Sequence, residues 1–546
     1  MTQLHRPALI VAGGIIVLAA ALLALLTGEH GAGITPDTIS YLRGGTGLAD
    51  GSGLFRPRYN PAFDILTNPI DNHYPPLLAL VYGGLLLAGV PVVHVASVVA
   101  VVGWAALLAG IGVLTYRLSH PQQAPFVAAL AVVLAAITPA YWLYVRYALS
   151  ETLFLPLLVW TMVLLVDLPQ REAGRWRWLA GATVLLACLM LTRYVGVFVY
   201  AAVGLWWAWR SGQRRWRLLM REYAVLALAA LPLAAWLAYT ITQRRSLGEH
   251  LSSPDNSFIE GLLALLREST QLVLPVLTLG EVQILFGWAG WLLYAAIVGG
   301  AVLLLWRFRT GRLWTGTPPR TPLLLFVLLY ALLYTVVQPF MSFWPMDMRD
   351  IMAVLCLLVP WLFARFSYLP PRWSYSFLAG YVALNAALIL GPVAVRGLPD
   401  WFALLPPQVA AVTSAEKGAD APGLLRWMQV TPINAADLER YHPEVLERLQ
   451  ARQPSDGAPV VVLTNLREVF AAYPFTAPES VYDWLQAGPC VSQHSVVIVV
   501  FVWDQWATAA AELPPQIEQR CPNLEPVPFA YGVLYEVPQI RLGEGR

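Results

Sequence analysis

Apolar runs of about twenty residues recur from residue 8 to about residue 395, broken by short polar turns, and then cease. The spacing predicts an α-helical polytopic membrane protein with spans near 8–27, 93–116, 124–143, 152–168, 178–192, 194–209, 223–241, 284–306, 322–338, 351–366 and 375–395, about eleven crossings. The opening run, Pro7–Thr27, has the length of a span and lacks a small-x-small cleavage site, so it reads as a retained helix. Leu77–Gly89 is apolar as well. At about 13 residues it is nearer an interfacial helix than the ~20 needed to cross.

Arginine clusters set the orientation. Arg171/Arg175/Arg177, Arg210/Arg214/Arg215/Arg217/Arg221 and Arg307/Arg309/Arg312/Arg320 lie in short loops, where positive charge stays on the cytoplasmic side. This predicts a multi-pass protein of the plasma (inner) membrane, with a cytoplasmic N-terminus and an extracytoplasmic tail from Arg396.

In that tail the pattern changes. A charged helical stretch, Ala435–Arg452, precedes buried-strand patterns at 459–465 and 496–502, a helix through about Leu513, and a closing strand pair near 526–537. Alternating strands and helices predict a small α/β domain over 396–546, set against a membrane domain over 1–395. The tail has no Gly-rich phosphate loop, Ser-His-Asp set or metal-ligand spacing, and reads as a structural cap or an acceptor-docking module. Its two cysteines, Cys490 and Cys521, could pair outside the cell, although spacing alone does not fix the geometry. Cys188 and Cys356 fall inside spans and read as small core residues.

Composition narrows the class further. Charged residues make up 12% of the 546 positions and hydrophobic ones 58%, against about a quarter charged in soluble proteins. A net charge of +2 with no Lys/Arg-Gly-aromatic pattern argues against nucleic acid as a partner.

The exception to the apolar rhythm is the long polar segment from Gly28 to Pro76, on the outer side of the predicted topology. It carries Asp37, Tyr41, Arg43 and His73. Other outer turns add Arg146, Glu151 and Arg193, and later Asp347 and Arg349. Ionisable groups gathered on one side at the ends of spans are functional candidates because placing them there is costly. Asp37 follows a proline just beyond the first span, which holds its carboxylate at a fixed point near the membrane surface. Such a carboxylate suits a general base on an acceptor hydroxyl or amine, or a ligand of a divalent metal that neutralises a phosphate leaving group. The alternative is a helix-start cap for Thr38–Leu42. Arg146, Arg193 and Arg349 suit donor-phosphate binding, because the planar guanidinium matches phosphate oxygens. His73, Glu151 and Asp347 are candidates for acceptor or metal contact, with Tyr41 and Arg43 in support. Glu151 would also be favoured at a helix start whatever its use.

Taken together, Pro36-Asp37 with Tyr41-Leu42, His73-x-Pro75-Pro76, Ser150-Glu151-Thr152-Leu153-Phe154, Leu191-Thr192-Arg193 and Asp347-x-Arg349 resemble motifs of the polyprenyl-phosphate-sugar-dependent glycosyltransferases of the C superfamily. These include the protein O-mannosyltransferases and the lipid A aminoarabinose transferases, and the resemblance covers about residues 8–395. It implies a catalytic aspartate in the first outer loop, an inverting transfer, a polyprenyl-phosphate-linked sugar as donor, and a lipid, glycan or protein acceptor at the outer face. Asp37 takes the catalytic position, and His73-x-Pro75-Pro76 resembles a His-Pro-Pro motif. Two departures leave sugar and acceptor open: Thr38 stands where the mannosyltransferases have a glutamate, and Tyr74 interrupts the His-Pro-Pro. A transporter or flippase for lipid-linked sugars is the competing class. It predicts repeated halves and charges near the bilayer midplane, and the sequence displays neither.

Overall fold

The computed structural model describes residues 5–28, 31–54, 58–67, 74–167, 175–211, 216–244, 348–396, 442–465, 475–501, 512–529 and 532–540, with a few isolated positions between them. Its first helix, α1 (His5–Gly28), is followed by a shorter one, α2 (Pro36–Ala49), inside the segment expected to be a polar loop. A small antiparallel hairpin follows, β1 (Arg58–Asn60) and β2 (Ile65–Thr67). Then come α3 (Leu77–Leu87), α4 (Val92–Leu118), α5 (Ala124–Ile137), α6 (Pro139–Val145), α7 (Glu151–Asp167), α8 (Arg175–Thr192) and α9 (Gly196–Ser211). After α10 (Trp216–Ala227) and α11 (Leu231–Arg244), the description resumes at α12 (Met348–Phe366) and α13 (Pro371–Arg396).

Local chemistry accounts for where these helices break. The predicted span 124–143 divides at Thr138-Pro139, because proline has no N–H for the preceding turn and suits the first position of a new helix. The predicted span 223–241 contains a 3₁₀ turn at Leu228–Ala230, where Pro232 removes a backbone donor. Helix α3 has 11 residues, which at 1.5 Å per residue falls well short of a ~30 Å hydrocarbon core. Among the described residues, three helices are long and apolar enough to cross a membrane: Pro7–Gly28, Val92–Leu118 and Met220–Thr242. The expected spans 284–306 and 322–338 lie almost wholly outside the described residues.

The helical core is built around α4, which packs against α1, α5, α7 and α12. Close approach explains one small residue there: a Cβ on Gly103 would collide with the Thr152 carbonyl oxygen, so the backbones of α4 and α7 meet without an intervening side chain. One turn-pair further on, the Trp160 indole donates to the Ala106 carbonyl at 2.9 Å.

The C-terminal part contains α14 (Pro443–Ala451), β3 (Val460–Thr464), β4 (Thr476–Ser480), α15 (Val481–Ala487), β5 (Val496–Phe501), α16 (Leu513–Arg520), β6 (Pro526–Phe529) and β7 (Gly532–Glu536). The strands form one sheet in the order β4-β3-β5-β7-β6, parallel across β4-β3-β5 and antiparallel across β5-β7-β6. Strands β3 and β5 are buried along their whole length, as apolar runs in the middle of a covered sheet should be. Their side chains alternate. Val461, Leu463, Ile498 and Val500 pack with Trp484 of α15 and Ile517 of α16, while Val460, Val462, Val497 and Val499 face the other way. Sequence patterning missed β4, whose Thr-Ala-Pro-Glu-Ser carries a proline; it is an edge strand, where a missing donor is tolerated. The helix expected through about Leu513 falls on residues 502–511, outside the described set, and α16 begins at Leu513. Cys490 and Cys521 are joined by a disulfide, with their Cα atoms 5.6 Å apart.

Candidate functional site at the start of α2

Helix α2 begins with its own cap. The Thr35 N–H donates to the Thr38 hydroxyl at 2.9 Å, and the two hydroxyls lie 3.1 Å apart. Capping therefore falls to Thr35 and Thr38, and Asp37 occupies the first turn, where the helix dipole favours its charge.

Three contacts fix this helix start in the fold. Gly33 exchanges backbone hydrogen bonds with the turn after α6, its N–H donating to the Arg146 carbonyl and its own carbonyl accepting from Ala148, both at 2.8 Å. The Thr38 hydroxyl donates to the Ala148 carbonyl at 3.4 Å. On the other side α2 lies tightly on α3: a Cβ on Gly45 would meet the Tyr82 Cβ at 2.8 Å.

Around Asp37 the side chains converge. The Tyr74 hydroxyl donates to Asp37 Oδ1 at 2.7 Å, and its ring lies 5.0 Å from that of Tyr41. The Tyr41 hydroxyl is hydrogen-bonded to Ser150. Burial, and after it the negative charge of Asp37, push this phenol far above its ordinary range, so Tyr41 is a neutral donor at any physiological pH. Tyr41, Leu54, Tyr74, Pro75, Pro76 and Trp236 of α11 line a small cleft open on one side. The Trp236 indole donates in turn to the Tyr194 hydroxyl at 3.3 Å.

The other expected site residues divide into three groups. Glu151 and Arg193 come together as an ion pair beside Tyr41, with Glu151 almost fully buried and the Arg193 guanidinium 5.9 Å over the Phe154 ring. As partners of each other, they would have to separate before Glu151 met an acceptor or metal, or Arg193 a phosphate. Arg146 differs. Its side chain is half-buried, and no ion pair to it is formed among the described residues. Burial works against its charge, so an anion arriving there would be bound more strongly than at a solvated arginine.

Arg43 lies away from the cleft. It is 3% exposed and donates to Thr476 Oγ1 at 2.7 Å and to the Phe470 carbonyl at 3.3 Å. The physical reason is helical geometry: six residues beyond Asp37, its side chain leaves a different face of α2. His73 and Asp347 lie outside the described residues, and of Arg349 only the helical backbone is described. Among the described residues, no group of three or more His, Cys, Asp or Glu side chains could hold a metal. The described contacts of the two carboxylates are with Tyr74 at Asp37 and with Arg193 at Glu151.

Sequence reading missed Tyr74 and Trp236. The first had a visible signal, since it is the residue that interrupts the His-x-Pro-Pro run. The second had none, because an apolar helix carries many aromatic residues.

Comparison with known proteins bears on this arrangement. The family model described as dolichyl-phosphate-mannose-protein mannosyltransferase matches residues 83–247. Among curated proteins none matches the chain by sequence. In structure, the chain is similar to ArnT from Cupriavidus metallidurans bound to undecaprenyl phosphate, at 12% identity and a TM-score of 0.56, covering 96% of this chain and 98% of that one. The apo state of the same protein matches at 15% identity and a TM-score of 0.53, covering 97% and 100%. The likeness to ArnT is one of fold and extends over nearly the whole chain, while the family model covers residues 83–247.

Proposed function

We propose that the protein is an inverting membrane glycosyltransferase that moves a sugar from a polyprenyl-phosphate carrier to an acceptor at the outer face of the membrane. The observation that supports this most directly is the placement of Asp37. A carboxylate at the start of a doubly anchored helix is hydrogen-bonded to Tyr74, which lines an aromatic cleft, and lies beside a turn that carries an arginine with no described ion-pair partner.

In this reading Asp37 removes the proton from the acceptor hydroxyl or amine as that atom attacks the anomeric carbon from the face opposite the phosphate. The carbon–oxygen bond to the carrier breaks, and the polyprenyl phosphate departs with the electron pair. Arg146 neutralises the charge that develops on it. Tyr74 orients the carboxylate through its hydrogen bond, and the neutral Tyr41 is available as a second donor. Arg193 and Arg349 remain further candidates for the phosphate, and His73 and Asp347 for the acceptor. The name of the structural relative, ArnT bound to undecaprenyl phosphate, supports a lipid phosphate as the carrier. We assign residues 1–395 to the membrane domain and 396–546 to an extracytoplasmic domain.

Asp37→Asn provides the test. The substitution keeps shape and removes the base. The expected result is loss of turnover by about 10²-fold or more in a protein that still inserts and folds. Wild-type release of polyprenyl phosphate by purified Asp37→Asn protein would overturn the assignment.

A further inference from the structure

We propose that the C-terminal sheet is a working part of the catalytic unit: it docks on α2 through Arg43 and Thr476 and thereby holds Asp37 in position. The inference rests on Asp37 being the reacting group.

Helix α2 has Asp37 in its first turn and Arg43 six residues on, about 9 Å along the axis. Displacing the Arg43 end therefore moves the carboxylate. The Arg43 guanidinium is buried and ends on the C-terminal part, at Thr476 Oγ1 and the Phe470 carbonyl. Thr476 is the first residue of β4, and its hydroxyl also lies 2.8 Å from the Tyr473 carbonyl and 3.1 Å from that of Phe470. The acceptor thus belongs to a tight turn at the sheet edge.

Apolar packing runs the same way. Ile39, Tyr41 and Leu42 of α2 belong to one continuous buried cluster with Phe470, Tyr473 and the inward face of β3 and β5. A second attachment comes from the hairpin that follows α2. Asp64 accepts from the Ser492 hydroxyl at 2.5 Å and from the Gln493 N–H at 2.7 Å, and the Tyr59 N–H donates to Glu479 at 3.2 Å. Glu479 lies on the same strand, β4, as Thr476. The segment that carries the carboxylate is therefore clamped between the helical core and the sheet. A cap needed only for solubility would not require a buried guanidinium reaching across to it.

The test uses the full-length protein in detergent. Thr476→Val keeps the shape and removes the acceptor; Thr476→Ser keeps the hydroxyl. Two quantities are read: amide exchange of the 36–49 segment, and release of undecaprenyl phosphate from undecaprenyl-phosphate-linked pentoses and hexoses. Thr476→Val is expected to speed exchange across α2 by about tenfold with α4 unchanged. It should also lower kcat by about tenfold while the donor KM stays within about twofold. Thr476→Ser should restore both.

Unchanged α2 exchange and kcat in both Thr476→Val and Arg43→Lys would overturn the proposal. So would a Thr476→Ser protein as impaired as Thr476→Val, or exchange that rises equally throughout the molecule. Asp37→Asn is measured alongside. Activity in that variant overturns the role of Asp37 itself, whereas an inactive Asp37→Asn beside an unaltered Thr476→Val overturns the positioning claim alone.

Discussion

Two acidic side chains stand in the first turns of two helices, and they meet different surroundings. Glu151, the first residue of α7, is 1% exposed and faces the Arg193 guanidinium. Asp37, in the first turn of α2, is half-buried and accepts a hydrogen bond from a neutral phenol at the edge of a cleft. Removing one partner of a buried carboxylate–guanidinium pair is costly, because it leaves a charge away from water without its counter-ion. The Asp37 carboxylate accepts from Tyr74, a residue of the cleft wall. At the start of α7 the acid is part of a joint between helices, and at the start of α2 it belongs to the proposed site, although both look alike in sequence as an acid at a helix N-terminus.

The largest effect that would break this contrast is the one already named for Asp37→Asn: turnover falls by 10²-fold or more, about 3 kcal/mol of transition-state stabilisation, while the melting temperature in detergent stays near wild type. If the melting temperature fell with the activity, Asp37 would be a joint as well. Arg193→Ala reverses the balance. It strands the Glu151 carboxylate in the core and should cost about 3–5 kcal/mol, read as a large drop in melting temperature. A variant that melts like wild type would show that the pair does not hold α7.

Gly103→Val tests the same joint from the opposing helix. Its added methyl groups would meet the Thr152 backbone, and forcing α4 and α7 apart should cost about 1–3 kcal/mol, again by thermal melting. The smallest change sharpens the other side. Thr35→Ala removes one hydroxyl of the Thr35–Thr38 cap and should cost about 1 kcal/mol, with exchange rising first at the α2 start. Helix α7 should not respond.

Much of the helical part was legible from the chain alone. Apolar runs carry their own period, and α1, α4, α7 and α8 stand close to where hydropathy places them. Helix α2 was not, apart from its first residues: Pro36–Ala49 contains three glycines and is only weakly apolar, so its local preferences are poor. It forms because the α3 surface and the C-terminal sheet cover it. Asp37 was singled out because it follows a proline beyond a span, whereas the contact of Arg43 with Thr476 was not legible, because linear proximity says nothing about which face a side chain leaves.

The sequence by itself determined a many-helix membrane architecture, an α/β tail and a short set of ionisable residues at helix ends. Those follow from periodicity and composition, which are properties of neighbours along the chain. Tertiary structure alone decided that Glu151 meets Arg193, that Tyr74 donates to Asp37, and that Arg43 reaches the sheet. Such choices depend on distances of a few ångströms between segments as far apart as Arg43 and Thr476. Hydrogen bonding and desolvation act over that range, and a linear pattern does not encode it.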